Sequence, residues 1–166
     1  MASLRIAGTI RESIVDGPGI RYVLFTQGCP HNCPGCHNPQ THDFAGGKEV
    51  DTAALLTDIV KNTFIKAVTF SGGEPFAQPT ALAELAKELK ARGFHLMSYS
   101  GYTFEQLLQR EDALPLLEQL DLLVDGPFVE AQKNIELKYR GSANQRVLDV
   151  PGSLAAKQAV WCEKYR

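Results

Sequence analysis

The fold and the chemistry both follow from one stretch, Tyr22-Val-Leu-Phe-Thr-Gln-Gly-Cys-Pro-His-Asn-Cys-Pro-Gly-Cys36. The β-branched and aromatic residues of 22–25 predict a strand, and the chain passes from this strand directly into a loop with prolines and glycines. That loop carries Cys29, Cys33 and Cys36 in a C-x3-C-x2-C arrangement. The stretch therefore predicts three thiols at the carboxyl end of a strand.

Helices and further strands alternate after this loop. Asp51 is placed to cap a helix whose apolar residues follow a 3.6-residue spacing, and 67–70 form the next predicted strand. Pro79 opens a second helix that ends at Gly93, before a strand over 94–98. The alternation continues with a helix around 103–108, a helical turn near 114–120 and a strand over 122–124, and 137–139 and 146–150 are predicted as further short strands.

This alternation predicts a parallel sheet with right-handed crossovers. A closed eightfold barrel needs about 250 residues, and this chain has 166. The expected fold is α/β, an open partial (β/α) barrel with a mostly parallel sheet and helices outside, in a single domain over 1–166. Its active face would lie at the carboxyl ends of the strands, and the open side would admit a large substrate.

Composition and charge exclude several classes of protein. Apolar residues make up 44% and charged residues 22% of the chain, as in an ordinary globular protein. Lys plus Arg number 17 against 19 Asp plus Glu, a net charge of −2, which argues against nucleic acid as the principal partner.

The N-terminus lacks the apolar region of a signal peptide, and no apolar run approaches the roughly 18 residues of a membrane span. We expect a cytoplasmic protein.

The three clustered cysteines indicate a metal, because a reducing cytosol disfavours disulfides. Three thiolates can hold three irons of a 4Fe-4S cluster and leave the fourth iron open to another ligand. A structural zinc site is the second interpretation, and its fourth ligand would be His31, His37, His42 or Cys162. A thioredoxin-like dithiol of Cys33 and Cys36 is the third, but it leaves Cys29 unexplained.

The motifs around the cysteines resemble a known superfamily. The C-x3-C-x2-C loop after a first strand, with His37 directly after the third cysteine, is similar to the signature of the radical S-adenosylmethionine enzymes. Asp16-Gly-Pro-Gly-Ile-Arg21, Phe25-Thr-Gln-Gly-Cys29 and Cys36-His-Asn-Pro39 resemble the glycyl-radical-enzyme activating proteins. The short length and the stretches 100–105, 124–128 and 140–146 are similar to the branch that activates anaerobic ribonucleoside-triphosphate reductases. Matching stretches run from about residue 6 to 150.

The resemblance implies an activity, two cofactors and two partners. A reduced 4Fe-4S cluster would cleave S-adenosylmethionine, and the resulting 5′-deoxyadenosyl radical would take a hydrogen from a glycine of the partner enzyme. That partner would be a glycyl radical enzyme, in this branch the anaerobic reductase, and the electron would come from a low-potential donor such as flavodoxin. The rivals are an activator of another glycyl radical enzyme such as pyruvate formate-lyase, a small-molecule radical enzyme such as a deazaguanine synthase, and a non-catalytic zinc-binding module.

A second motif, Ser71-Gly-Gly-Glu-Pro75, follows the second predicted strand. Glycines let a backbone approach a ligand closely, and Glu74 offers an acceptor to an ammonium group. Taken alone, the motif predicts only a tight strand-to-helix turn. The resemblance implies that Gly72, Gly73 and Glu74 bind the methionine amino end of S-adenosylmethionine, and that the backbone of Gly35, Cys36 and His37 packs against its adenine.

For several other candidate site residues the sequence leaves both a functional and a structural role open. Ser98 and Ser100, at the end of the third predicted strand, would face the cofactor or simply end a strand. Asp125 would orient the cofactor, bind a monovalent cation or act as a turn aspartate. Asn144 and Arg146 would reach the active face or close a sheet edge. Asp16 to Gly19 is predicted to be a turn, Cys162 a packed residue that does not bind the cluster, and His31, His42 and His95 loop or surface residues.

Overall fold

A computed structural model describes residues 2–166. The strands are β1 (Ser3–Ser13), β2 (Arg21–Thr26), β3 (Lys48–Asp51), β4 (Ala67–Gly72), β5 (His95–Tyr99), β6 (Leu122–Asp125) and β7 (Arg146–Asp149). The helices are α1 (Thr52–Val60), α2 (Pro79–Ala91), α3 (Phe104–Leu108), α4 (Leu114–Leu117) and α5 (Val150–Ala156). Local signals set several of these boundaries: the Asp51 side chain accepts from the Ala53 N–H, Pro79 is the first residue of α2, and Thr103 caps α3.

The strands form one sheet of seven in the order β3-β1-β2-β4-β5-β6-β7. The centre, β2-β4-β5-β6, is parallel, whereas β1 pairs antiparallel with β2 and β3, and β7 pairs antiparallel with β6. The two edges, β3 and β7, are not neighbours, so the sheet is open. The prediction of an open α/β fold with a mostly parallel sheet is confirmed.

The strand predicted over 137–139 is wrong. The segment lies in the long connection from β6 to β7 and consists of bends. Tyr139 has a φ of 60°, a left-handed conformation that a strand cannot contain. The predicted strand over 146–150 is confirmed as β7, but its last residue, Val150, already begins α5.

The helices cover one face of the sheet. Successive strand residues point to opposite faces, so Leu24, Phe70 and Leu96 pack with apolar side chains of the helices in the main core. Met97 and Val124 belong to a second, smaller cluster on the other face, where Cys162 and Tyr165 of the C-terminal segment pack against it. Among residues 2–166, no helix is long and apolar enough to cross a membrane.

Arg21 lies buried on the face of the sheet opposite the main core. Its side chain is 1% exposed and donates to the Thr69 hydroxyl and to the backbone carbonyls of Pro18, Val68 and His95. Burial lowers the pKa of this guanidinium to about 10. Because Pro18 lies in the connection between β1 and β2, Arg21 fastens that connection to the sheet.

Replacing Arg21 with lysine is expected to lower the free energy of unfolding by about 3 kcal/mol, because an ammonium cannot reach all of these acceptors and leaves buried oxygens unpaired. Urea denaturation followed by circular dichroism measures the change. The matched control is Arg92→Lys, at an exposed position at the end of α2, which should change stability by less than about 0.5 kcal/mol. Equal stability of the Arg21 variant and the parent would contradict this account.

Candidate cofactor site

Three strand ends meet at one edge of the sheet. In the parallel pairing of β2 with β4, Thr26 lies opposite Gly72. β5 lies on the other side of β4 and ends at Tyr99, directly before Ser100. The loops that follow these strands therefore leave the sheet side by side. The cysteines, the glycine motif and Ser100 come together for this reason.

The segment 28–38, called here the cysteine loop, is folded back on itself by backbone hydrogen bonds. The N–H groups of Gly28 and Cys29 donate to the carbonyls of Thr41 and His42, over 2.7 and 3.2 Å. The Cys36 N–H donates to the Cys33 carbonyl over 3.2 Å. The first two bonds tie the start of the loop to the short helical turn that follows it, and the third holds a turn within the loop.

The three cysteines line one cavity of about 110 Å³. None of them is in a disulfide, and each is partly buried. A second cavity of about 370 Å³ adjoins the first, and both are lined by Cys36, Gly72, Tyr99, Phe128 and Gln145. We call them the cysteine cavity and the outer cavity. The structure thus places the three predicted thiols around one cavity, and this cavity adjoins a larger one.

Backbone N–H groups act on two of the cysteine sulfurs. Burial raises the pKa of the Cys29 thiol, and the backbone N–H groups of His31 and Asn32 oppose this rise. The Asn38 N–H donates to Cys36 Sγ over 3.4 Å. Donors of this kind stabilise negative charge on sulfur, as thiolate ligands of a metal require.

The glycine motif packs directly on the start of the cysteine loop. The Gly73 N–H donates to the Thr26 carbonyl and the Glu74 N–H to the Gly28 carbonyl, both over 2.8 Å. Gly72 has a φ of 94°, and a Cβ there would lie 2.6 Å from the Thr26 backbone. A Cβ on Gly73 would lie 2.4 Å from the Gly28 carbonyl oxygen. Both positions need glycine because backbone meets backbone.

Glu74 is fully buried, and protein donors occupy its carboxylate. Oε1 contacts His31 Nε2 at 2.6 Å and accepts from the Gly101 N–H at 2.7 Å. Oε2 accepts from the Ser100 hydroxyl at 2.9 Å and from the Phe76 N–H at 3.0 Å. Gly72, Gly73 and Ser100 line the cysteine cavity. A direct bond from Glu74 to a ligand ammonium stays a prediction.

The remaining predicted residues take different positions. Ser98 is fully buried, and its hydroxyl donates to the Tyr99 carbonyl, on the side of β5 that faces the helices. Asp125 is 1% exposed, and its carboxylate accepts from the Phe104 N–H and from Nε and Nη2 of Arg146. The structure therefore brings neither Ser98 nor Asp125 to the cavities, and the Asp125 geometry is that of a structural ion pair.

The cysteine loop also contacts the connection between β6 and β7. The His37 ring packs edge to face on Phe128, with ring centroids 5.1 Å apart, and a Cβ on Gly35 would meet the Glu130 carboxyl at 2.9 Å. His37 lines the outer cavity, and His42 lines the cysteine cavity. The connection therefore forms one wall of the site.

Sequence reasoning missed several residues that line the cavities, among them His31, Tyr99, Phe128 and Gln145. His31 lies in a loop as predicted, but its side chain turns inward and is only 16% exposed. Tyr99 and Phe128 line both cavities. Strand alternation would place Tyr99 on the face opposite Ser98, whereas no local signal in the sequence marks Phe128 as part of a cavity.

Replacing Gly73 with alanine is expected to displace the cysteine loop, since the added methyl group would overlap the Gly28 carbonyl. The iron content after anaerobic reconstitution should fall several-fold, while the far-ultraviolet circular dichroism keeps its shape. The control is Gly8→Ala in β1, where a Cβ meets nothing within 4 Å. A Gly73 variant that binds as much iron as the Gly8 variant would show that the contact is dispensable.

Comparison with known proteins assigns the class. A family model described as a 4Fe-4S single cluster domain matches residues 15–148, most of the chain. The anaerobic ribonucleoside-triphosphate reductase-activating protein of Vibrio cholerae is 36% identical over 142 residues, which cover 80% of this chain and 89% of that protein. Its counterpart in Escherichia coli K12 is 34% identical, covering 81% and 91%.

Two further proteins are similar over less of their length. The pyruvate formate-lyase-activating enzyme of Clostridium pasteurianum is 42% identical over 121 residues, covering 68% of this chain but only 51% of that enzyme. The crystal structure of QueE from Escherichia coli overlaps with a TM-score of 0.49 at 19% identity, covering 61% of this chain and 54% of that one. The chain belongs to the glycyl-radical-enzyme activating enzymes of the radical S-adenosylmethionine superfamily.

The residues of the site fit an iron–sulfur cluster. Three thiols line one cavity, and a backbone donor reaches the sulfur of Cys36. Iron–sulfur clusters are held by cysteine thiolates and tuned by such hydrogen bonds. Cys162 instead packs with the second apolar cluster, around Met97 and Val124.

Proposed function

We propose that this protein is an activating enzyme that cleaves S-adenosylmethionine reductively and generates a glycyl radical on an anaerobic ribonucleoside-triphosphate reductase. Cys29, Cys33 and Cys36 would hold a 4Fe-4S cluster with one open iron. The observation that carries the proposal is the meeting of these cysteines with Gly72 and Gly73 around one cavity. The relatives that cover 80% and 81% of this chain bear the name of the same activity.

The cluster, when bound, supplies the electron that splits the sulfonium and an open iron for the amino and carboxylate groups of the substrate. The segment 72–74 would bind the methionine end, because the backbone of Gly72 and Gly73 lines the cavity. Glu74 holds the cavity wall in place by accepting from the Gly101 N–H. The backbone of Gly35, Cys36 and His37 would pack against the adenine. Ser100 would complete the polar lining.

This assignment needs no general acid or base. The buried carboxylate at the site, Glu74, is fully engaged by protein donors, and Asp125 is paired with Arg146. The residues of the chain would bind, orient and shield the reactants, which is what the protein contributes in cofactor-based radical chemistry. Tyr99 and Phe128 would exclude water where the two cavities join.

The outer cavity suits a macromolecular substrate. It is lined by residues of the β1–β2 connection, such as Val15, as well as by Tyr139 and Gly141 of the β6–β7 connection. A glycine-bearing loop of the partner would pass through the outer cavity to reach the cysteine cavity. The net charge of −2 predicts recognition by local shape rather than long-range steering. The electron would come from a low-potential donor such as flavodoxin, in the cytoplasm.

Activation of pyruvate formate-lyase is the second candidate. The observation in its favour is the 42% identity to the Clostridium pasteurianum enzyme. In favour of the reductase, the activators of Vibrio cholerae and Escherichia coli match this chain over 142 and 143 residues, compared with 121 residues for the Clostridium pasteurianum enzyme. The reductase is therefore the partner that we propose.

The test combines product analysis with radical detection. Anaerobically reconstituted protein, a reductant and S-adenosylmethionine should yield 5′-deoxyadenosine, and electron paramagnetic resonance should detect a glycyl radical on added reductase but not on pyruvate formate-lyase. Cys33→Ala should abolish both signals by removing a cluster ligand. Cys162→Ala, the matched control, should keep the iron content and both signals. A radical on pyruvate formate-lyase alone would select the second candidate, and loss of the cluster in Cys162→Ala would overturn the ligand assignment.

A further inference from the structure

The contact between His31 and Glu74 joins two motifs that are separate in the sequence. His31 lies between Cys29 and Cys33 in the cysteine loop, and Glu74 follows the glycines after β4. Nε2 of the histidine and Oε1 of the carboxylate are 2.6 Å apart, and the two side chains are 16% and 0% exposed. Because water is largely excluded, such a bond contributes more than one on the surface.

The Glu74 carboxylate, which we call the anchor, also accepts three hydrogen bonds from residues other than His31. Its remaining donors are the N–H groups of Phe76 and Gly101 and the hydroxyl of Ser100. The Ser100 hydroxyl is itself held, because it accepts from the Tyr102 N–H. All of these donors follow β4 or β5. His31 is the donor that comes from the cysteine loop, so the anchor holds that loop through His31.

The space for the His31 ring exists because residue 101 is glycine. A Cβ on Gly101 would lie 2.4 Å from His31 Cδ2 and 2.6 Å from Nε2. On its other side the ring packs edge to face on Tyr102, with centroids 4.5 Å apart. The ring is therefore confined to a fitted slot formed by the residues that follow β5.

The backbone that His31 holds has an uncommon conformation. Asn32 has a φ of 48°, in the left-handed region that non-glycine residues seldom adopt. Backbone of this kind persists when the surrounding contacts determine it. At the other end of the same loop the Asn38 N–H donates to Cys36 Sγ over 3.4 Å, so the conformation of the loop decides which backbone donors reach the cysteine sulfurs.

We propose that His31 is a positioning residue: through the buried Glu74 it fixes the cysteine loop against the ends of β4 and β5, and so holds the backbone N–H groups of that loop towards the cysteine sulfurs, as the Asn38 N–H is held towards Cys36 Sγ. Hydrogen bonds to the sulfurs of a cluster favour its reduced, more negative state. His31 therefore raises the reduction potential of the bound cluster. This redox consequence rests on the proposed function, whereas the fixing of the loop does not.

Three variants test the proposal. His31→Leu fills much of the same space without a donor. His31→Gln keeps a donor, because the glutamine Nε2 is the same number of bonds from Cα as the histidine Nε2. Gly101→Ala pushes the ring out of its slot without changing the cysteine loop itself. Amide hydrogen exchange of residues 29–36 is measured on the full chain without a cluster, and the reduction potential is measured by spectroelectrochemistry after reconstitution.

We expect exchange in the cysteine loop to be about tenfold faster in His31→Leu and Gly101→Ala, as for the loss of one hydrogen bond to a buried carboxylate. His31→Gln should restore the rate of the parent. The reduction potential should become more negative in the leucine and alanine variants and return in the glutamine variant. The circular dichroism of the four proteins shows whether all are folded, and Gly101→Ala carries the test if His31→Leu does not fold.

Unchanged exchange in His31→Leu and Gly101→Ala would overturn the fixing of the loop, and so would a glutamine variant that behaves like the leucine variant. Changed exchange with an unchanged potential would overturn the redox consequence. If the parent fails to assemble a cluster, the proposed function fails, but the exchange comparison still decides whether His31 holds the loop. The two failures are therefore distinguishable.

Discussion

The backbone of Gly73 lies against the carbonyl of Gly28, and the site is arranged around this contact. Parallel pairing of β2 and β4 places Thr26 opposite Gly72, so the two following loops must leave the sheet together. The N–H groups of Gly73 and Glu74 then donate to the carbonyls of Thr26 and Gly28, and these bonds hold the glycine motif against the start of the cysteine loop. No side chain fits between them. The cysteines reach their common cavity because this junction fixes where their loop begins.

Buried charges serve this scaffold rather than a proton-transfer step. Glu74 is fully occupied by donors from three segments of the chain. Asp125 is paired with Arg146, and Arg21 is bound by a hydroxyl and backbone carbonyls. Groups that are held so firmly fix the position of the backbone around them. Such a scaffold suits chemistry in which a cofactor supplies the reactivity and the protein supplies geometry.

Much of the fold could be predicted because its signals are local. The cysteine spacing, the Asp51 cap and the proline at the start of α2 each act within a few residues. Strands β1 and β3 were not predicted, because they pair antiparallel and lie outside the alternation of strands and helices. The strand predicted over 137–139 failed because Tyr139 adopts a left-handed conformation. The His31 side chain turns inward because it contacts Glu74 and fits beside Gly101, and these residues lie 43 and 70 positions further along the chain. Contacts across such distances leave no periodic pattern to read.

The most direct test of the account concerns the open iron. Mössbauer spectroscopy of protein reconstituted with enriched iron, recorded before and after S-adenosylmethionine is added, separates an iron with a non-cysteine ligand from the others. If Cys29, Cys33 and Cys36 hold the cluster and the substrate chelates the remaining iron, one iron site should change its isomer shift on addition while the others stay constant. A cluster whose irons are all unaffected by S-adenosylmethionine would contradict the account.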